Sequence, residues 1–101
     1  MKERFAAAQV TRVLDQALIY QCACPAQVCR TIFELRELYD YQKNCSNVTG
    51  EDQGVHATIA EATAGAHALM EECLARVLAI EGWDLATLTM PDHLRKAIKP
   101  L

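Results

Sequence analysis

Residues 53–81 read QGVHATIAEATAGAHALMEECLARVLAIE and are followed directly by Gly82. Ala, Leu, Glu and Met dominate, proline is absent, and a glycine stands where a helix would close, so the stretch predicts one long helix. At about 100° per residue, Val55, Ile59, Ala62, Ala66, Leu69, Cys73, Val77 and Ile80 share one face, and this apolar stripe is assigned to the core. Ala57, Ala64, Ala68 and Ala75 fall opposite, with Ala60 nearby. Alanine on a solvent face is simply a good helix former. A row of small side chains also lets a second helix come close. At ~1.5 Å per residue the segment spans ~40 Å, more than two shorter neighbours can cover. It is therefore expected to be two-sided, with Ala57, Ala64, Ala68 and Ala75 as candidate interaction residues.

Upstream, Ser46 to Gly50 reads as a turn, and Thr49 with Asp52 resembles a capping box for the long helix. Residues 25–44 carry a second stripe, Val28, Ile32, Leu35 and Tyr39, flanked by Phe33 and Leu38, while Arg30, Glu34, Glu37 and Tyr41 look outward. Pro25 opens this helix, because proline suits a first turn and disfavours helical geometry in the residue before it. Residues 3–21 repeat the pattern with Ala6, Val10, Val13, Ala17 and Tyr20, widened by Leu14 and Leu18. Downstream, Trp83, Leu85 and Leu88 are expected to fold back as a hydrophobic lid. A short basic helix over 91–98 opens at Thr89-x-x-Asp92 and is closed by Pro100. Short connections make consecutive helices antiparallel. The predicted fold is a single all-α domain over residues 1–101: an up-down antiparallel bundle of three main helices, about 3–21, 25–44 and 53–81, plus a short C-terminal helix.

A chain of 101 residues suffices for one core and not for two. With 51% of residues hydrophobic and 23% charged, disorder is not expected. No run of about 20 apolar residues is present, so no membrane span is predicted. The net charge of −3 is uneven: six basic and five acidic side chains fall in 1–45, one and six in 46–82, three and two in 83–101. No cluster of Lys and Arg exists to neutralise phosphates, which excludes nucleic acid from the expected partners. The first residues offer no apolar run of signal-peptide length, and a cytoplasmic location is expected.

Five cysteines, Cys22, Cys24, Cys29, Cys45 and Cys73, give an odd count that fits free thiols or metal ligands better than a disulfide framework. A hairpin centred near Thr49 sets residue 25 opposite about residue 73. Cys22, Cys24, Cys29 and Cys73 could then converge at one end of the bundle as a thiolate site for zinc, copper or an iron–sulfur cluster. His67 and Met70 lie near enough to bias such a site toward copper. Cys45 stands ~24 Å beyond Cys29 and cannot join. Against this, Cys73 on the core face reads as a small hydrophobe. Cys24, at the start of its helix, is the best placed thiol for redox chemistry.

His56 and His67 share a flank three turns apart, too far for one ion, and read as solvated or boundary residues; Glu71 follows His67 by one turn. No CxxCH, HExxH, GxxxxGK[ST], GxGxxG, Glu-x-x-His or G-x-S-x-G pattern occurs. The sequence thus points to a non-enzymatic module that self-associates or binds a protein partner, with no cofactor. The alternative is a thiolate-bound metal or thiol-redox module built on Cys22-x-Cys24-Pro25-x3-Cys29 and Cys73.

Overall fold

Four helices follow one another in the computed structural model: α1 (Ala7–Ile19), α2 (Ala23–Asn44), α3 (Gly50–Glu81) and α4 (Asp92–Arg95). It describes the backbone of residues 1–45 and 50–95 and the side chains of 1–45 and 53–95. The expected cap at Thr49 and Asp52 and the closure at Pro100 lie outside those residues. Among the described residues there is no strand, and no helix is long and apolar enough to cross a membrane. The all-α, up-down arrangement of three long helices is as the sequence predicts.

α1 starts later than residue 3. The Glu71 carboxylate accepts the backbone N–H groups of Arg4 and Phe5 at 2.7 and 2.9 Å, which holds the first residues out of the helix as an arm. Ala6 is extended at φ −64°, ψ 156°, and the Gln9 side chain accepts its N–H at 2.8 Å. α1 closes with Gln21 at φ 54°. The Cys22 N–H reaches the Ala17 carbonyl and the Gln21 N–H that of Leu18, a Schellman end without glycine. α3 closes the same way at Gly82 (φ 84°), where the Trp83 N–H bonds the Leu78 carbonyl at 2.9 Å. α2 begins at Ala23, so Pro25 lies in its first turn, where no N–H is needed.

α2 lies between α1 and α3 and packs against both. The core joins Val10 and Val13 of α1, Cys29 and Ile32 of α2, Leu74 and Leu78 of α3, and Trp83, Leu88 and Met90 of the returning segment. That segment is held to α1 by polar bonds. Gln16 accepts the Met90 N–H at 2.9 Å and donates to the Leu88 carbonyl at 2.7 Å, while Arg12 donates to the Thr87 carbonyl and the Thr89 hydroxyl. Trp83 and Leu88 form the expected lid, with Met90 in the place given to Leu85, which is exposed.

One expectation is overturned. The buried residues of α3 are Ala60, Thr63, His67, Glu71, Leu74 and Leu78, a face rotated about 120° from the predicted apolar stripe. Val55, Leu69 and Ile80 are exposed, as is Ala62, and Ile59, Ala66, Cys73 and Val77 are half-buried. The rotated face is half polar, yet its polar groups find partners inside the bundle, and that is what allows it to be buried.

Candidate functional site

The stripe left outside runs the length of α3. It bears its largest apolar groups at Val55, Leu69 and Ile80, which are 55%, 68% and 84% exposed. Near its C-terminal end Leu69, Glu72, Cys73, Arg76, Val77 and Ile80 line a shallow groove. α2 covers the other side of the helix, and among the described residues no element covers this one. Isolated exposed apolar residues need no explanation; here Val55, Leu69 and Ile80 fall in one row, with Ala62 exposed and Ile59, Ala66, Cys73 and Val77 half-buried between them.

The alanine row behaves differently from this stripe. Ala57 and Ala68 are exposed, while Ala64 and Ala75 are half-buried. Ala57 and Ala64 edge a groove between α2 and α3 with Tyr39, Gln42 and His56, and the His56 and Gln42 side chains meet there at 2.6 Å.

The cysteines are dispersed. Cys22 is half-buried with its sulfur 3.6 Å from a Glu81 carboxylate oxygen, Cys24 is exposed, Cys29 lies in the core, and Cys73 sits on the outer stripe. No group of three or more Cys, His, Asp or Glu able to hold a metal occurs among the described residues. The rotation of α3 is the reason for Cys73, since the face that should have aimed it at α2 points outward. Burial, then the neighbouring Glu81 carboxylate, raises the Cys22 pKa, and burial pushes Cys29 up to about 11. Both therefore stay thiols at neutral pH. All five cysteines are free.

A second feature went unread in the sequence. Arg36 of α2 lies between His67 and Glu71 of α3, all three buried. Its Nε donates to His67 Nε2 at 2.9 Å, and Nη2 donates to a Glu71 carboxylate oxygen at 3.2 Å and to the Phe5 carbonyl. Glu3 approaches from the arm at 3.5 Å. Because His67 accepts at Nε2, its proton sits on Nδ1, facing Glu71 Oε1 at 3.5 Å. The cluster ties α2, α3 and the arm together. The i,i+4 spacing of His67 and Glu71 was the signal available; Arg36 could not be joined to it without the pairing of α2 with α3.

Burial holds the His67 pKa below its ordinary 6.5, against the pull of Glu71 and Glu3 and with the help of Arg36. The unfolded chain then takes up a proton that the folded chain refuses. Stability is complete above pH ~6.5 and falls by up to about 1.4 kcal/mol per unit below it. Urea midpoints at about pH 7.5 and about pH 5.5 measure this, and His67→Gln, which keeps a donor and an acceptor, should flatten the difference. An undiminished slope in His67→Gln would remove the assignment.

The class of protein defined by this fold is an all-α helical bundle with one long helix facing outward. Comparison with protein-family models, curated proteins and solved structures finds no match for this chain.

Proposed function

We propose that the chain is a non-enzymatic, self-associating helical module, in which the outer face of α3 pairs with the same face of a second copy. The observation that carries this reading is the exposure of Val55, Leu69 and Ile80 in one row. A strip about 38 Å long and about 15 Å around the helix covers roughly 600 Å² per copy, or roughly 1,200 Å² in a pair, the lower end of specific interfaces. The occupant proposed is a second copy, since the area of the strip reaches the lower end of what a specific pair needs; its large groups (Val55, Ile59, Leu69, Ile80) are spaced by small ones (Ala62, Ala66), with Glu72 and Arg76 along its edge. Five free thiols agree with a reducing, cytoplasmic setting.

The pairing is weak enough to be concentration-dependent, since an interface of this size lies near the threshold of stability. Sedimentation velocity of the full chain from micromolar to tens of micromolar should show a shift from one to two subunits. A single monomeric species across that range sinks the proposal.

A further inference from the structure

We infer that the N-terminal arm is a strap worked by a proton: protonation of His67 drives the Arg36 guanidinium from its seat and frees residues 3–6 from the bundle. The strap is independent of the self-association proposed above. Phe5 is held at both of its backbone polar groups. Glu71 accepts its N–H at 2.9 Å, along with that of Arg4 at 2.7 Å, and Arg36 Nη2 donates to its carbonyl. Glu3 adds a contact of 3.5 Å to Arg36 Nε. Among the described residues, the guanidinium otherwise meets His67 and Glu71 of α3 and the Phe33 ring of its own helix. Two helices and the arm enclose Arg36, and of the three only the arm lies outside a helical ladder.

The bond from Arg36 Nε to His67 Nε2, at 2.9 Å, requires a bare ring nitrogen, so the neutral imidazole is part of the strap. A second proton has one place to go, which is Nε2. Both ring nitrogens are then donors, and turning the ring over offers Arg36 no acceptor. Two donors and two positive charges face each other in a buried site, His67 being 1% exposed. Glu71, one turn along α3, takes the imidazolium at Nδ1, where the two already stand at 3.5 Å. Arg36 is the group that leaves. Its Nε and Nη2 belong to one rigid plane, so the Phe5 carbonyl loses its donor in the same movement. Its way out is on the side of the arm, where the solvent-exposed Glu3 carboxylate stands, and the arm must move to let it pass. The charged groups around His67 are Glu71 on its own helix, Arg36 on α2, and Glu3 and the Met1 amine on the arm. Burial, with Arg36 and the amine, outweighs the carboxylates and keeps the ring neutral while the arm is in place. Releasing the arm therefore takes up a proton, so the arm is seated above pH ~6.5 and freed as the pH falls below that value.

Nuclear magnetic resonance of the full chain tests this, with backbone order parameters of residues 3–6 followed as the His67 ring is titrated. Between about pH 7.5 and about pH 5 they should fall from about 0.85 to below about 0.6, at the midpoint of the His67 ring, while Ile32 and Leu74 stay rigid. His67→Gln keeps an acceptor for Arg36 and a donor for Glu71 but takes up no proton, and its arm should remain ordered over the same range. In the unaltered protein at about pH 7.5, the ring nitrogens should show the His67 proton on Nδ1. A proton on Nε2 overturns the inference, whatever the variant does. So does an arm that stays ordered with His67 protonated, or one that loosens only as the core amides do, which is unfolding and not release. An arm that still loosens in acid in His67→Gln overturns it too, and assigns the change to the carboxylates of Glu3 and Glu71.

Discussion

Glu71→Ala is expected to lower folding stability by about 3–5 kcal/mol, the penalty for breaking a buried charged network by removing one partner. The Glu71 side chain is 5% exposed and that of Arg36 is 9% exposed, so neither charge is screened by water. Without the carboxylate, Arg36 loses its buried counter-ion and keeps only the solvent-exposed Glu3 at 3.5 Å, while its Nη1 already lacks a partner among the described residues. The N–H groups of Arg4 and Phe5 lose their acceptor as well, and the arm is released. A domain of this size has about 5–15 kcal/mol in all, so the variant should lie close to unfolding at 37 °C. Urea denaturation measures the loss. The pair Arg36→Met with Glu71→Leu supplies the control. Removing both charges together leaves no unpaired buried charge, although the Arg4 and Phe5 N–H groups and His67 Nε2 still lose their partners, so the double variant should be more stable than the sum of the two single losses requires. Simple additivity would show that the pair is not coupled.

The sequence revealed the number of helices, their order, and the ends at Gly82 and near Pro25, because caps and breakers are local and act wherever they stand. It also marked Val10, Val13, Ala17 and Ile32 as buried, which they are. The face of α3 was not legible, and the reason is physical. A wheel ranks faces by apolarity, which assumes that a polar group inside the bundle has no partner. Thr63 donates to the Ile59 carbonyl at 2.7 Å, and His67 and Glu71 share Arg36, which comes from 31 and 35 residues away. A non-local arrangement of that kind lowers the penalty of burying the polar face and leaves the apolar stripe free. The expected convergence of Cys22, Cys24, Cys29 and Cys73 also needed Cys73 on the inner face, whereas Cys73 sits on the outer stripe. The reading of α3 put the alanines outside and the apolar stripe inside; the stripe lies outside, while Ala57 and Ala68 are exposed and Ala64 and Ala75 half-buried.

The rotation of α3 makes Leu69 and Leu74 a decisive pair, because the two are chemically identical, five residues apart, and assigned opposite roles. Leu74 is fully buried in the core and Leu69 is 68% exposed. Leu74→Ala should therefore lose about 2–5 kcal/mol, the transfer term plus the cavity left among Val10, Ile32 and Leu78. Leu69→Ala should change the stability of the monomer by less than about 0.5 kcal/mol, as surface substitutions do. The order reverses for association. Leu69 stands near the middle of the stripe, where truncation of a central residue of the proposed pair weighs most. Leu69→Asp, which sets a charge in the middle of the paired faces, should weaken the pair by about 2 kcal/mol or more, roughly 30-fold or more in Kd. Urea midpoints at dilute concentration read the first quantity and sedimentation the second, so the two effects do not blur. If Leu69→Ala instead unfolded the monomer and Leu74→Ala were silent, α3 would be seated on its apolar stripe after all. His67 and Glu71 would then be turned away from Arg36, and the outer face would have no exposed leucine with which to bind.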